Sequence, residues 1–518
     1  LKAPTGYVSS DEVISLDASY QGETVSTVEL TPVKENDSTT FEFTKSDLTT
    51  GVELDGAMLT VLDRDGNQVD QWTSVKDKPH VIQCLVVGET YTLREEFAPY
   101  GYLKAEEVTF TVEDTAEVQK VEMKDDVPTA LLIINKKGEF LDNVSLLEKA
   151  KGTIEHIFEY VTGNLTKVTF EVYAKEDIKA ADGVGEDYYK ADELVATITT
   201  DDNGIAKVEN LPVGKYYVKE VETVHGYVLD EEPKEVDLSY RDQDTPVVTF
   251  DEDWNNNRQK VAIRVIKKEK NTDNVLEGGV FALYSREDIK SASGKVLLKK
   301  DEIIEQKATD TKGEIHFTAD LPVDGKYYVK EIKAPEGFAT SGEEQDFTFE
   351  YAGEKEAEVT YEFVFENDVT KVEISKQDMT TGKELPGAKL TIFDEAGNEV
   401  ESWTSEEKAH YIEKLPVGKY TLHEESAPEG YLVAEDVSFE VKDTGEIQKV
   451  VMKDEVKPVE TETPKPDTGT ETPKQDTTTV TNAPKTGDNS KMGIWLLMMA
   501  VALCGAGTSV FYLRKKKK

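Results

Sequence analysis

The chain of 518 residues is too long for one hydrophobic core, which predicts several domains of roughly 100 residues each. Its 104 Asp and Glu residues against 60 Lys and Arg residues give a formal net charge of -44, which repels phosphates and excludes nucleic acid as a partner. With only two cysteines, Cys84 and Cys504, the chain cannot build a disulfide framework, so any covalent staple must use other chemistry.

Repeated phrases divide most of the chain into modules. YTLREEFAPYGYLKAEEVTFTVED near the start returns as YTLHEESAPEGYLVAEDVSFEVKD near the end, two more divergent copies lie between them, and the opening LKAPTGYV matches IKAPEGFA. The predicted units are the C-terminal part of a truncated module (1–37), module A (38–126), module B (127–257), module C (258–368), module D (369–455), a linker (456–481) and a terminal signal (482–518).

Apolar residues alternate within each module, as in Val372 and Ile374, and Asp-x-x-Gly and Pro-x-Gly turns separate the segments. About seven short strands per module predict an all-β fold, with one β-sandwich per module. Module B carries an insertion at 143–163, whose apolar spacing fits a helix and a strand equally loosely.

Three ionisable or amide positions recur on the apolar side of their strands. The first strand carries Lys45, Lys136, Lys267 or Lys376; the strand before the Ala-Pro-x-Gly-Tyr turn carries Glu95, Glu220, Glu331 or Glu424; the last strand carries Asp125, Asn256, Asn367 or Asp454. Asn36 takes the last place in the truncated module, where its lysine partner is missing. Module B departs most, with Thr223-Val224-His225 in place of Ala-Pro, and there Asn257 could replace Asn256.

Burying these groups singly would be costly, so the trio needs a chemical reason. Desolvation is expected to lower the Lys pKa and raise the Glu pKa, giving a neutral amine and a protonated carboxyl that polarises the Asp or Asn carbonyl. The pair can then condense to an isopeptide bond with loss of water or ammonia. The alternative is an ordinary, partly exposed salt bridge at the sheet end, and four copies in phase favour the bond.

These residues resemble the Cna B-type and SpaA-type isopeptide-forming domains of Gram-positive adhesins and pilins. The resemblance rests on Lys45-Ser46-Asp47, on Gly56-Ala57 and on the box from Tyr420 to Tyr431. It implies immunoglobulin-like sandwiches in which the four Glu residues act as proton shuttles in a single-turnover reaction, without enzyme activity, cofactor or metal. Asp63 and Asp201 hint at calcium, but hairpin turns explain both.

The C-terminal part is predicted to anchor the chain in the membrane, with the modules outside the cell. Residues 456–481 are rich in Pro, Thr and charges and predict a disordered, wall-spanning linker. The apolar stretch 492–513 would cross a bilayer core of about 30 Å as a helix, and the basic tail 514–518 predicts a cytoplasmic end. Because the chain starts at Leu1 without a secretory signal, we interpret it as a fragment or processed form.

Ala483-Pro484-Lys485-Thr486-Gly487 precedes the apolar span, and motif, span and basic tail together resemble the sortase sorting signal of Gram-positive surface proteins. The resemblance implies that Thr486 is joined to peptidoglycan, and Ala483 in place of Leu leaves the sortase class open. The alternative is a plain single-pass anchor.

The sequence therefore predicts a cell-wall-anchored, adhesin-type stalk. The expected partners are sortase, peptidoglycan, and host matrix or another ligand bound through a region upstream. Two alternatives remain: a pilin subunit polymerised by sortase, and the stalk of a surface enzyme whose catalytic domain lies upstream.

Overall fold

The computed structural model describes residues 2–25, 27–149, 153–183 and 185–458, and this part of the chain contains strands and turns but no α-helix. The predicted all-β class is confirmed. Within the same residues there is no helix long and apolar enough to cross a membrane. The linker beyond residue 458, the sorting motif, the apolar span and the basic tail lie outside the described residues.

Modules A and D have the same seven-stranded architecture. The strands of module A are β1 (Thr40–Asp47), β2 (Met58–Leu62), β3 (Gln68–Thr73), β4 (His80–Gln83), β5 (Thr90–Phe97), β6 (Val108–Thr111) and β7 (Val118–Asp125). Those of module D are β25 (Lys371–Asp378), β26 (Lys389–Asp394), β27 (Glu399–Thr404), β28 (His410–Glu413), β29 (Gly418–Ser426), β30 (Val437–Val441) and β31 (Ile447–Asp454). In each module a three-stranded sheet faces a four-stranded sheet, with orders β4-β1-β7 and β3-β2-β5-β6 in module A and β28-β25-β31 and β27-β26-β29-β30 in module D.

Modules B and C keep this plan with additional strands. Module B contains β8 (Thr129–Lys149), β9 (Thr153–Asn164), β10 (Thr169–Ala174), β11 (Leu194–Thr199), β12 (Ile205–Pro212), β13 (Gly214–Glu222), β14 (Lys234–Leu238) and β15 (Val247–Asn255). Module C contains β16 (Lys260–Glu269), β17 (Val280–Ser285), β18 (Ile289–Lys290), β19 (Val296–Leu298), β20 (Ile303–Ala308), β21 (Glu314–Phe317), β22 (Lys326–Lys333), β23 (Glu344–Thr348) and β24 (Glu358–Asn367).

Each module buries one face of both sheets. In β1, for example, Phe41 and Phe43 are buried while Glu42 and Thr44 between them are half-buried, because successive side chains of a strand point to opposite faces. Apolar residues of the facing sheets meet in a separate core for each module. The first and last strands of every module pair in parallel, which places their side chains in a fixed common register.

The insertion of module B is a β-hairpin, so the strand alternative is the right one. β8 pairs with β9 in an antiparallel ladder from Lys137 and Asn164 to Lys149 and Thr153. Backbone hydrogen bonds between the two strands hold the hairpin together. The short, weakly periodic apolar runs of the sequence do not show this pairing. Its far end leaves module B and joins a sheet of module C.

Three of the four junctions between modules share one backbone contact. The glycine of the turn, which ends Pro-x-Gly in the truncated module and module C but Val224-His225-Gly226 in module B, accepts a hydrogen bond at its carbonyl from the residue that leads into the next module. The bonds are Thr39 N to Gly6 O (3.1 Å), Gln259 N to Gly226 O (2.9 Å) and Thr370 N to Gly337 O (3.0 Å). At the A–B junction the matching residue is Pro128, which has no N–H to donate. There Tyr240 donates its hydroxyl to Tyr102 O at 3.1 Å, and Lys104 N donates to Gln243 O at 3.0 Å.

Residues 2–25 and 27–37 form no strand of their own. Tyr7 makes an isolated bridge with Ser38, and Val8 N donates to Asp37 O at 2.8 Å. The contacts of Gly6 with module A match those of Gly337 with module D, so this segment meets module A as a preceding module would.

Gly337 at the C–D junction has a testable role. Its φ is +81°, and a Cβ there would lie 2.6 Å from Lys414 O, so we expect Gly337→Ala to push the turn off module D. Hydrogen exchange should show the Thr370 amide losing protection by about tenfold, because its hydrogen bond to Gly337 is broken. Gly382→Ala is the matched control, since Gly382 also has a positive φ (+68°) but no atom within 4 Å of an added Cβ. Equal effects of the two variants on Thr370 would contradict the prediction.

Candidate isopeptide sites in the module cores

The first and last strands bring the lysine and its partner together. In module A, Lys45 of β1 lies opposite Met123 of β7, and Asp125 comes two residues later on the same face of the sheet. The other three modules repeat this placement, with Lys opposite Trp254, Phe365 or Met452 and the Asn or Asp two residues further on. The Glu comes from the facing sheet, on β5, β13, β22 or β29. Both sheets must therefore be assembled before the trio exists.

Modules A and D hold nearly identical trios. Lys45 Nζ contacts Asp125 Oδ1 directly and lies 3.0 Å from Glu95 Oε1. Lys376 Nζ contacts Asp454 Oδ1 directly and lies 2.9 Å from Glu424 Oε1. In both trios the other Glu oxygen, Oε2, accepts a backbone hydrogen bond, from Ala105 N (2.7 Å) or Ala434 N (2.6 Å).

Module C contains the amide version of the trio. Lys267 Nζ contacts Asn367 Oδ1 directly and lies 3.1 Å from Glu331 Oε1, and Asn367 Nδ2 donates to the same Glu331 Oε1 at 2.9 Å. Glu331 Oε2 accepts from Ser341 N at 3.1 Å. The amine therefore faces the amide carbonyl, while the Glu contacts both the amine and the amide nitrogen.

Module B assembles the same residues with a different hydrogen-bond pattern. Lys136 Nζ lies 2.7 Å from Glu220 Oε2, while Asn256 Nδ2 donates to Glu220 Oε1 and, at 2.8 Å, to Thr223 Oγ1. Asn256 is buried and Asn257 is exposed, so the structure places Asn256, and not its neighbour, at the site. Thr223 occupies the position where the other modules have Ala. Its hydroxyl oxygen accepts a hydrogen bond from the Asn256 amide nitrogen, which would leave as ammonia.

All four trios are dry. The exposed fraction of the side chain is 0 to 2% for each Lys and each Glu, and Asp125 and Asp454 are at 0%. The alternative of partly exposed salt bridges does not describe these sites. Asn36, in contrast, is only half-buried and donates its amide to Val8 O at 2.9 Å.

Burial shifts the ionisation of two lysines and two aspartates of the trios toward their neutral forms. It lowers the pKa of Lys136 and of Lys267, against the opposing charges of Glu220 and Glu331. It raises the pKa of Asp125 to about 7 and also raises that of Asp454, against the charges of Lys45 and Lys376. Glu95 and Glu424 raise the two Asp pKa values further through their charge and hydrogen bonding. Burial thus favours a neutral amine in modules B and C and a protonated aspartate in modules A and D.

Two contacts around the trios were not found from the sequence. The residue paired with the Glu across the four-stranded sheet is Leu59 or Leu390 in modules A and D but Phe170 or Phe281 in modules B and C. Lys136 and Lys267 lie 5.6 and 5.5 Å from the centres of these phenyl rings. Strand pairing across the sheet decides this neighbour, and the box motif alone does not reveal it.

The second contact fixes the end of the first strand in modules A and D. The Asp of the Lys-x-Asp opening accepts a hydrogen bond from the Tyr of the box: Tyr102 to Asp47 at 2.8 Å and Tyr431 to Asp378 at 2.7 Å. The hydrogen bond from Tyr431, with those from backbone amides, holds the pKa of Asp378 down to about 2. Module C has Phe338 at the Tyr position and lacks this hydroxyl.

For the metal alternative, no group of three or more His, Cys, Asp or Glu side chains among the described residues could hold a metal ion. Asp63 and Asp201 lie in turns, where each carboxylate accepts backbone N–H groups of its own loop, from Asp65 and Asn67 and from Asn203 and Ile205.

Comparison with known proteins agrees with this architecture. The SpaA family, a prealbumin-like fold domain, matches residues 39–127, 158–254, 261–362 and 370–456, which together make up more than half of the chain. In module B the match starts at 158, within the hairpin that interrupts this domain. The chain is thus a row of tandem prealbumin-like β-sandwich domains. It belongs to the SpaA prealbumin-like domain family, as its resemblance to the SpaA and Cna B types predicted.

Several solved structures are similar to the chain. The Bacillus anthracis TIE protein is 21% identical with a TM-score of 0.42, and the alignment covers 80% of this chain and 75% of that one. A streptococcal ancillary pilin is 19% identical (TM-score 0.22), covering 64% of this chain and 99% of that one. BcpA, the major pilin subunit of Bacillus cereus, is 16% identical (TM-score 0.25), with coverage of 64% and 99%. No curated protein matches the chain by sequence.

The raised pKa of Asp125 predicts an unusual pH dependence when its carboxyl is free. Glu95→Gln should leave Asp125 free and buried, with its pKa still above the value of about 4 in the unfolded chain. The folded state then binds the proton more tightly, so the free energy of unfolding of module A should fall as the pH rises from about 4 to about 7. Urea unfolding followed by hydrogen exchange of β1 and β7 measures this. Adding Asp125→Asn should abolish the dependence; if it persists, another group is responsible.

Proposed function

We propose that this chain is the stalk of a Gram-positive surface protein, in which each module is closed by a bond between Lys Nζ and the side-chain carbonyl carbon of Asp or Asn. The observation that carries the proposal is the fourfold recurrence of a buried Lys, Glu and Asp or Asn at one place in the module. The Lys contacts the Glu in all four modules and contacts the Asp or Asn directly in modules A, C and D. One buried trio could be a costly accident, but four in the same register indicate a shared chemistry.

The expected reaction is a condensation. Neutral Lys Nζ attacks Cγ of the Asp or Asn, the Glu takes a proton from the nitrogen, and it returns a proton to the leaving group. The new N–C bond replaces a C–O bond in modules A and D, releasing water, and a C–N bond in modules B and C, releasing ammonia. No oxidant or cofactor is needed. The contact held by the two sheets supplies the proximity that makes amide formation feasible.

Such bonds would change how the stalk carries tension. The bond of module A joins residues 80 positions apart, and that of module C joins residues 100 positions apart. Force would then pass from Asp125 to Lys136, from Asn256 to Lys267 and from Asn367 to Lys376 along short connecting segments. By analogy with a disulfide closing such a loop, each bond would stabilise its module by roughly 4 to 5 kcal/mol.

The C-terminal signal supports attachment to the wall. The motif 483–487, the apolar stretch and the basic tail occur in the order that sortase substrates share, and Thr486 would provide the carbonyl joined to peptidoglycan. Wall attachment would place the modules outside the cell, after transient membrane anchoring. Sortase and peptidoglycan are then the partners, and a ligand such as host matrix would be met by a region upstream.

Mass spectrometry tests the bonds. Residues 2–458 should weigh less than their sequence by two molecules of water and two of ammonia, and proteolysis should yield a joined peptide containing Lys376 and Asp454. Lys376→Ala and Glu424→Gln should each restore one water, because one removes the nucleophile and the other the proton shuttle. Lys383→Ala, at an exposed Lys of the same module, should leave the mass loss unchanged. A full sequence mass in the unaltered protein would refute the proposal.

Cell fractionation tests the anchor. In a Gram-positive host that expresses sortase, the full chain should appear in the peptidoglycan fraction, and Thr486→Ala should move it to the membrane fraction, because the substitution alters the motif that sortase recognises and cleaves. Thr481→Ala in the adjoining linker is the control and should stay in the wall. Wall attachment of Thr486→Ala would eliminate this motif as the site, and a ladder of covalent multimers would favour the pilin alternative.

A further inference from the structure

The hairpin of β8 and β9 connects two modules through one sheet. β8 pairs with β12 and β15 of module B near its start, and with β9 further along. β9 in turn pairs with β20 of module C at Glu155 and Glu305. The resulting sheet runs β12-β8-β9-β20-β17-β22-β23 and joins the three-stranded sheet of module B to the four-stranded sheet of module C.

Successive residues of β8 enter different cores. Phe140 packs against the core of module B, whereas Leu141 is buried in the core of module C. Phe158 of β9 is buried in that same core, and Val144 and Tyr160 pack against it. Because neighbouring side chains of a strand point to opposite faces, the hairpin separates the two cores and contributes to both.

Polar contacts fix the hairpin on module C. His156 Nδ1 lies 2.7 Å from Ile303 O, Tyr160 donates its hydroxyl to Asp320 O at 2.8 Å, and Ala292 N donates to Leu141 O at 2.8 Å. The guanidinium of Arg258 lies 3.3 Å from the centre of the Tyr160 ring and 2.5 Å from Asp320. Arg258 is buried, so leaving it without these partners would be costly.

Modules A and D show what the hairpin adds. There the strands that correspond to β20, namely β3 and β27, end their four-stranded sheets and pair with no further strand in the part of the chain that the structure describes. In module C the hairpin covers this edge and supplies apolar side chains to the core beneath it. An uncovered edge would present free backbone groups and the apolar surface that Leu141 and Phe158 now bury.

We infer that module C is completed by the hairpin of module B, so that modules B and C form one cooperative folding unit while modules A and D fold separately. The stalk is then built from two single modules and one double module. This inference is independent of the proposed isopeptide bonds, because it rests on strand pairing and core packing alone.

Hydrogen exchange of the full chain tests it. Leu141→Ala with Phe158→Ala should speed exchange about tenfold or more in β17, β20 and β22 of module C as well as in the hairpin, because a shared core loses packing. Modules A and D serve as internal standards and should keep their protection. Val161→Ala, at an exposed residue of the same strand, is the control and should change exchange only locally. Faster exchange confined to the hairpin, with module C unchanged, would overturn the inference.

A reciprocal variant covers the case in which the double substitution prevents folding of this region. Ile304→Ala in β20 of module C removes a buried side chain far along the sequence from module B. Cooperative unfolding predicts faster exchange in β10 and β13 of module B by a factor similar to that in β17. If β10 and β13 keep their protection while module C loses it, the two modules unfold independently and the inference fails.

Discussion

A lysine buried between a glutamate and an aspartate or asparagine is the constraint on which the rest of each module depends. Burying such a group is costly unless partners offset the loss of its hydration. The parallel pairing of first and last strands supplies one partner, and the facing sheet supplies the other. The trio therefore forms only when strand order, register and sheet packing are all in place. The chemistry of the site thus depends directly on completion of the fold.

The four trios are variations on that constraint. Modules A and D fix the Glu through a backbone N–H and the end of the first strand through the Tyr hydroxyl of the box. Module C keeps the backbone contact without the Tyr hydroxyl. In module B, Thr223 takes part in the site and engages Asn256. The module whose sequence departs most from the repeat is thus also the one whose polar contacts differ most.

Module B also departs by extending its first strand beyond its own core. The lysine lies in the first half of that strand, and the hairpin begins directly after it, so the extension leaves the trio in place. Its apolar residues and strand edge are used by module C instead. A continuous sheet across the boundary resists relative rotation of the two modules better than a turn contact does.

The sequence by itself determined which residues face each core. Strict alternation of apolar residues places Lys45, Glu95 and Asp125 on the apolar side of their strands. The pattern is weak in one module, but its recurrence in four modules made it recognisable. The all-β class followed from the same alternation, because a strand period of two residues is visible without tertiary information. The sorting signal, the apolar span and the linker remain predictions from sequence.

Only the tertiary structure decided the features that depend on partners distant in the chain. The insertion at 143–163 is a hairpin because β20 and the core of module C receive it, and its own periodicity could not distinguish strand from helix. Asn256 rather than Asn257 reaches the site because the parallel pairing of β15 with β8 places Trp254 opposite Lys136 and Asn256 two residues further on the same face. Two other features likewise depend on which strands and turns pack together: the phenyl rings beside Lys136 and Lys267, and the contacts at the Pro128 junction. Local sequence patterns do not predict such long-range contacts.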